Sequence, residues 1–327
     1  MEKLAFVNGN LYVYWSSIIL GAAVLTAIAA FAALYLRKSG NSLALSLMIP
    51  LAFGSSLVLA RLIHWYCLAD GYESMTAAVT DYSWGGYALM GVFIACLICA
   101  CVLRLARVVT NLPEMLDCMA LAGGLGIAVG RMASLFNSSD RGMLVSDKLG
   151  LPFAYPVTNA VSGMVENRLA TFMIQGIITL MIVAALFAML AGSKARKRPV
   201  KDGDVCLLFL ASYGASQILL DSTRYDSLFM RSNGFISIVQ ILGAVALVTA
   251  IVIFSVRMVK ARGMRPWFVG IWLGILATLG GAGYMEYHVQ RHGDQALFAY
   301  SVMGVCMVAA VAATVLIRHV GLEQRDV

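Results

Sequence analysis

Residues 11–38 read LYVYWSSIILGAAVLTAIAAFAALYLRK. From Leu11 to Leu36 the run carries no charge, and Arg37 and Lys38 close it. A helix needs about 20 mainly apolar residues to cross a bilayer, so this stretch has the length and character of a membrane span. It is too long, and lacks the small-residue cleavage site, to read as a removable signal peptide. The rest of the chain is of the same kind: hydrophobic residues make up 61% and charged ones 13%. The mean hydropathy is +0.83, whereas a soluble domain carries roughly 25% charged residues.

Reading outward from that run, apolar stretches recur between short charged ones and predict nine spans. They cover approximately 11–36, 43–68, 85–108, 114–137, 169–192, 203–223, 235–256, 267–285 and 297–317. The fourth, with Gly123-Gly124 and Arg131, is the least hydrophobic. The expected fold is therefore all-α, a polytopic membrane helix bundle without a separate soluble domain. Arg37-Lys38, Arg104, Arg107, SKARKRPVK at 193–201, RMVKARGMR at 257–265 and the tail RHVGLEQRDV fall on one side. Cytoplasmic loops are enriched in Lys and Arg, so that side should be cytoplasmic, with the N-terminus outside and the C-terminus inside. The formal net charge of +7 is mostly this pattern. Short juxtamembrane clusters without interleaved aromatics argue against nucleic-acid binding and suit anionic headgroups.

The seven cysteines, Cys67, Cys96, Cys99, Cys101, Cys118, Cys206 and Cys306, lie in or at the edges of spans, where they read as small packing residues rather than a disulfide framework. No metal is expected. Cys96-x-x-Cys99 lacks a nearby His or carboxylate, and His64, His288, His292 and His319 are scattered. His288-x-x-x-His292 has helix-face spacing with Glu286 nearby, but reads as part of a short outward loop.

Ionisable groups inside apolar runs are costly and so should serve a polar interior. Arg61 can snorkel to the outer interface or face a site. Arg131 follows Gly130 in GRMASLFNSSDRG, residues 130–142, with Ser134, Asn137, Ser138, Ser139, Asp140 and Arg141 close behind. It reads either as one end of an interhelical ion pair or as an anion site for a phosphate headgroup. In SQILLDSTRYD, 216–226, Asp221 and Arg224 stand one turn apart and read as a local ion pair. GLPFAYP at 150–156 holds Pro152 and Pro156 and should not be helical throughout; Phe153 and Tyr155 would anchor it at the outer interface.

The order of these motifs resembles the bacterial prolipoprotein diacylglyceryl transferases, whose signature is close to G-R-x-G-N-F-x-N-G-E-x-x-G. Gly130, Arg131, Asn137 and Gly142 stand at its fixed spacing. Tyr14-Trp15, ARLIHWY at 60–66, WGGYALMG at 84–91, LGLPFA at 149–154, GDVCLLFLASYGASQILLDSTRYD at 203–226 and SNGFISIVQIL at 232–242 are similar to further family stretches. The resemblance covers roughly 5–257. It implies seven family-like spans in residues 1–257, with an outward-facing segment at 138–168, followed by an additional two-span hairpin at 258–327.

The same resemblance implies a chemistry: transfer of diacylglyceryl from phosphatidylglycerol to the thiol of a lipobox cysteine in a prolipoprotein, at the bacterial cytoplasmic (inner) membrane. No cofactor is implied. Arg131 would stabilise the phosphate leaving group, with Asn137, Ser134, Arg224, Arg61 and Gly142 around the headgroup. This chain departs from the family at polar positions. Ser16 stands for a tyrosine, Met90 for a histidine, Ser134 for an asparagine, Ser139 for a glutamate, Gln217 for an arginine and Asp221 for a glutamate. The His-Pro-x-Gln-x-Tyr-Glu element has become MVENRLAT at 164–171. Methionine cannot accept a proton, and Asp221, Asp140 and Glu166 are the acids that could replace the lost groups. Three readings follow: a divergent transferase; a non-catalytic relative that binds phospholipid or a signal peptide; and a nine-span transporter, for which no internal repeat or paired broken helices speak.

Overall fold

The computed structural model of the chain describes all residues except 1–2, 10, 82–85, 147–152, 160–161, 196–199, 232–233, 235, 294 and 323–327. Two strands, β1 (Leu4–Asn8) and β2 (Leu11–Tyr14), come first. Helices follow: α1 (Trp15–Lys38), α2 (Ser42–Cys67), the short α3 (Met75–Thr80), α4 (Leu89–Leu105) and α5 (Leu112–Arg131). Strands β3 (Ala154–Thr158) and β4 (Val165–Leu169) then precede α6 (Thr171–Ala195), α7 (Asp204–Ser222), α8 (Ile238–Arg262), α9 (Pro266–His292) and α10 (Ala296–Leu322). Among the described residues, 8 helices are long and apolar enough to cross a membrane. The remaining expected span is α4, with 17 residues. The protein is an all-α polytopic membrane bundle carrying two small antiparallel hairpins.

Local chemistry sets the helix ends. The side chains of Asn41, Ser74 and Asn111 accept the backbone N–H of Ala44, Ala77 and Glu114 at the starts of α2, α3 and α5, the ordinary use of short polar residues as N-caps. Pro266 opens α9, and Gly293, at φ +69°, closes it in the left-handed conformation. Three expected boundaries are corrected. Residues 11–14 are strand, because the alternating Leu-Tyr-Val-Tyr run pairs antiparallel with residues 4–8, Phe6 facing Val13; the first helix starts at Trp15. The fourth span stops being α-helical at Arg131 and tightens into one 3₁₀ turn, Met132–Leu135. The eighth runs on to His292, so His288 and His292 lie in its last turns and not in a loop.

The chain divides into two compact units, residues 1–206 with 223–238, and residues 207–222 with 239–327. In the first, α1 packs on α5, α2 on α4 and α5 on α6. Phe31, Tyr35, Met48, Leu103, Val109 and Met115 form an apolar core there. A Cβ on Gly91 would lie 2.5 Å from the backbone of Ala60, so α4 and α2 touch main chain to main chain. At the end of α1 distant from Trp15, Lys38 pairs with Asp202 at 2.7 Å, and Asp117 accepts the backbone N–H of Gly203 and Cys206 at 2.9 and 2.8 Å. In the second unit α9 packs on α10. There a Cβ on Gly214 would meet the carbonyl of Gly243 at 2.5 Å, and Tyr300 donates to the Ser222 carbonyl at 3.1 Å. The seven cysteines are free thiols.

Candidate functional site

The richest polar cluster forms where α5 ends. Beyond the 3₁₀ turn, Asn137 Oδ1 accepts the backbone N–H and the hydroxyl of Ser139 at 3.0 and 2.6 Å, a local turn that Asn side chains favour. The chain then passes through Asp140 in the left-handed region, φ +57°. That turn aims the Asp140 carboxylate back at the helix. Its Oδ1 receives Arg131 Nη1 at 3.0 Å and Arg224 Nη2 at 2.8 Å, and its Oδ2 receives the Ser134 hydroxyl at 2.9 Å. The Asp140 N–H donates to Asp226 Oδ2 at 2.8 Å, while Arg224 Nε holds Asp226 Oδ1 at 3.0 Å. The side chains of Arg131, Arg224 and Asp140 are 12%, 13% and 17% exposed. Burial alone would raise the pKa of Asp140, but the guanidinium groups of Arg131 and Arg224 and the Ser134 hydroxyl hold it down at about 2. Asp140 is thus a fixed carboxylate, a counter-ion rather than a base at neutral pH.

The next two residues lock this loop. Arg141 is 1% exposed; its Nη2 donates to the carbonyls of Ser134 and Asn137 at 2.5 and 2.7 Å. Its guanidinium lies 4.3 and 4.4 Å from the ring centres of Tyr155 and Phe172, which sandwich it. Nothing in the sequence singles Arg141 out, because the rings that receive it come from β3 and α6. Gly142 sits in a bridge with Arg224 and donates its N–H to the Leu169 carbonyl at 2.8 Å. A Cβ there would collide with Thr171 Oγ1 and lie 2.7 Å from Leu169 Cβ. The glycine is needed for space: it lets the segment carrying Asp140 pack against Leu169 and Thr171, where β4 passes into α6.

A second cluster occupies the last two turns of α2. Arg61 is buried, at 0% exposed. Its Nε donates to the Ala78 carbonyl at 2.8 Å, Nη2 to the Asp81 carbonyl at 2.5 Å, and Nη1 to the Gly86 carbonyl at 3.2 Å and the Tyr72 hydroxyl at 3.3 Å. Tyr72 and Tyr87 present their rings to it, at 5.2 and 5.3 Å. Arg61 therefore gathers the α2–α4 connection around itself. His64, one turn on, places Nδ1 2.8 Å from the Tyr72 hydroxyl. Gly86, at φ +109°, lies flat on the imidazole, where a Cβ would be 2.5 Å from Cε1.

The structure brings Arg131, Ser134, Asp140 and Arg224 into one cluster, with Asn137 and Gly142 in the loop that holds it. Arg224, expected to pair with Asp221, makes ion pairs with Asp226 of the same stretch and with Asp140 across the fold. Asp221, in the last turn of α7, is 1% exposed and belongs to the second unit. Met90 is buried in the first turn of α4, and Ser16 in the first turn of α1. Glu166 bonds Asn159 at 2.6 Å and Arg168 at 3.0 Å; its pKa is lowered, first by the Asn159 hydrogen bond and then by Arg168. Leu149 to Pro152 of the LGLPFA stretch lie outside the described residues. Among the described residues no three of His, Cys, Asp and Glu are grouped to hold a metal ion; His288 and His292 stack at 5.1 Å.

The arrangement joins two largely buried guanidinium groups from distant parts of the chain at one carboxylate, and the same forked N–H donors are the groups that bind a phosphate. Comparison with known proteins gives the family. The chain is similar to the phosphatidylglycerol–prolipoprotein diacylglyceryl transferase of Clostridium botulinum strain Hall, 24% identical over 248 residues, 75% of this chain and 94% of the relative. It is also similar to the enzymes of that name from Streptococcus equi subsp. zooepidemicus strain H70, 25% identical, and subsp. equi strain 4047, 26% identical. Each of these two matches spans 252 residues, 76% of this chain and 94% of the relative. The profile of the prolipoprotein diacylglyceryl transferases matches residues 3–256, from β1 into α8 and short of α9 and α10. The chain belongs to the prolipoprotein diacylglyceryl transferase family.

Proposed function

We propose that this multi-pass membrane protein transfers the diacylglyceryl group of phosphatidylglycerol to the thiol of a lipobox cysteine in a prolipoprotein, at the outer face of the bacterial cytoplasmic membrane, with its N-terminus outside and its C-terminus inside. The observation that carries this reading is the convergence of Arg131 and Arg224 on Asp140 at one end of the bundle. A phosphodiester that becomes a phosphate monoester on leaving gains negative charge, and guanidinium groups already held in place in a low-dielectric wall stabilise that gain without reorganisation. Asp140 keeps the two arginines apart and aligned until the lipid phosphate engages their outer N–H groups. Ser134 and Asn137 line the loop beneath the headgroup, and Gly142 keeps the two arginine segments together. Arg61 is a positioning residue, which holds the carbonyls of Ala78, Asp81 and Gly86. Residues 1–257 carry this chemistry and 258–327 add to it a two-span hairpin.

The substitutions at Ser16, Met90 and Ser139 favour a second reading, a relative that binds phospholipid or a signal peptide without turnover. One experiment separates them. The purified protein is placed in phosphatidylglycerol vesicles with a lipobox peptide, and thioether-linked diacylglyceryl peptide and released glycerol phosphate are measured. Transfer in phosphatidylglycerol and none in phosphatidylethanolamine vesicles supports the enzyme. Tightly co-purified phosphatidylglycerol with no transfer supports the binding protein, and a bound solute with no lipid supports a transporter.

A further inference from the structure

The transfer reaction needs a group to take the thiol proton, and both carboxylates of the Arg131 cluster are already engaged: Asp140 by Arg131 and Arg224, Asp226 by Arg224 and the Asp140 N–H. The family's histidine position holds Met90. The structure places an imidazole on the neighbouring helix. Gly91, next to Met90, touches Ala60 of α2, and the Ala88 N–H donates to the Ala60 carbonyl at 3.1 Å; His64 is one turn further along α2 from that contact. The ring is immobilised by the Tyr72 hydroxyl on Nδ1, 2.8 Å away, by the Tyr72 ring edge-on at 5.9 Å, and by Gly86 against its face.

His64 also stands at the correct end of the first unit. Trp15, at the start of α1, lies 6.1 Å from Phe136 in the Arg131 loop. Because α1 and α2 run in opposite directions across a three-residue connection, Ser39 to Asn41, the end of α2 returns to that same end. The segment that begins with Arg224 then carries Arg231 over the ring of Trp65, His64's neighbour, at 5.8 Å.

We propose that His64 is the base that takes the proton of the acceptor thiol, relocated from α4 to α2, and that Tyr72 and Arg61 are its positioning residues. The proposal rests on the transferase reading. The Tyr72 oxygen has two lone pairs. It accepts one N–H from Arg61 Nη1; in the tautomer proposed, its second lone pair accepts the Nδ1–H of His64, with Nε2 as the bare nitrogen. The thiol S–H bond breaks with its proton on Nε2. The sulfur electron pair forms the bond to the glyceryl carbon, and the C–O bond to phosphate breaks with its pair on the leaving oxygen. The imidazolium then returns the proton to the glycerol phosphate released.

The test uses the full-length protein in phosphatidylglycerol vesicles with the lipobox peptide. His64→Gln and His64→Ala should each lower the transfer rate about 10²- to 10⁴-fold, with lipid binding retained and the low-pH limb of the rate profile lost. The charged and titratable groups beside the ring are Tyr72 and Arg61, with the Tyr87 ring against Arg61 and Arg231 beside Trp65. Imidazole in the buffer should restore part of the His64→Ala rate, as should Met90→His in that background, and neither should help Arg131→Ala. A His64→Ala protein that turns over like the parent overturns the assignment. So does a loss that imidazole does not repair and that leaves the pH profile unchanged, because the ring is then structural. A parent protein with no transfer at all removes the transferase reading first, and this proposal with it.

Discussion

At Asp140 one carboxylate oxygen serves two guanidinium groups, and that sharing makes the site sensitive to single atoms. Arg131→Ala should abolish phosphatidylglycerol binding, measured by lipid co-purification, whereas Arg131→Lys should only weaken it. An ammonium offers a point charge where a guanidinium offers a fork. Unchanged lipid content in a folded alanine variant would make the residue structural. Asp140 itself links the site to stability. Its pKa lies at about 2 in the folded protein against an ordinary 3.8, so its contribution is fully present above about pH 4 and is lost as pH falls toward 2. At ~1.4 kcal/mol per unit that amounts to about 2–3 kcal/mol. In thermal melts in detergent, Asp140→Asn should lie below the parent at pH 6, and the gap should narrow as the pH approaches 2. A constant gap would show that the carboxylate is not charged in the way the ion pairs require.

At the scale of elements, the candidate site is the product of one helix end and two returning strand-like segments. α5 stops at Arg131, a 3₁₀ turn tightens the chain, and the following loop is pinned from above by β4 and from the side by residues 223–226. Gly142 is the point where these pieces meet. Gly142→Ala would drive a methyl group into Thr171 and Leu169, and overpacking of this kind costs about 1–3 kcal/mol. The variant should therefore melt lower and lose phosphatidylglycerol binding in proportion as the Gly142–Arg224 bridge opens. A variant with parental melting and lipid binding would show that the backbone gives way without cost. In the same way Arg141, between Tyr155 and Phe172, ties the 3₁₀ turn to β3 and α6.

For the whole molecule, the hairpin of α9 and α10 lies beyond the family match. The positive-inside pattern already closes at RMVKARGMR, so truncation after Lys260 should leave insertion and orientation unaltered. A Val145→Cys reporter should remain accessible from outside in the truncated protein, and inverted labelling would refute this. Stability should nonetheless fall. In the second unit Gly304 of α10 packs against Leu219 and Gly321 against the backbone of Met258, so removal of the hairpin uncovers α7 and α8. A shortened protein that melts with the parent would show that those contacts are dispensable.

The sequence by itself determined the class of molecule, since hydrophobic runs of bilayer length are a property of composition along the chain. It also determined the family, because Gly130, Arg131, Asn137 and Gly142 keep a fixed local spacing. Helix existence was legible for the same reason, while ends such as Trp15 and His292 were not: strand pairing at 11–14 and continued helix at 286–292 are settled by neighbours rather than by apolar content. Only the tertiary structure decided what each ionisable residue does. Arg224 reads along the chain as a partner of Asp221, and only the fold brings Asp140 to it as well. Arg61 reads either as snorkelling or as facing a site, while the fold gives its N–H groups to the carbonyls of Ala78, Asp81 and Gly86. Arg141 and His64 carry no local signal at all. The physical reason is common to all four: the energy of a buried charge or a fixed imidazole is set by the groups within a few ångströms of it, and those groups come from segments that only folding brings together.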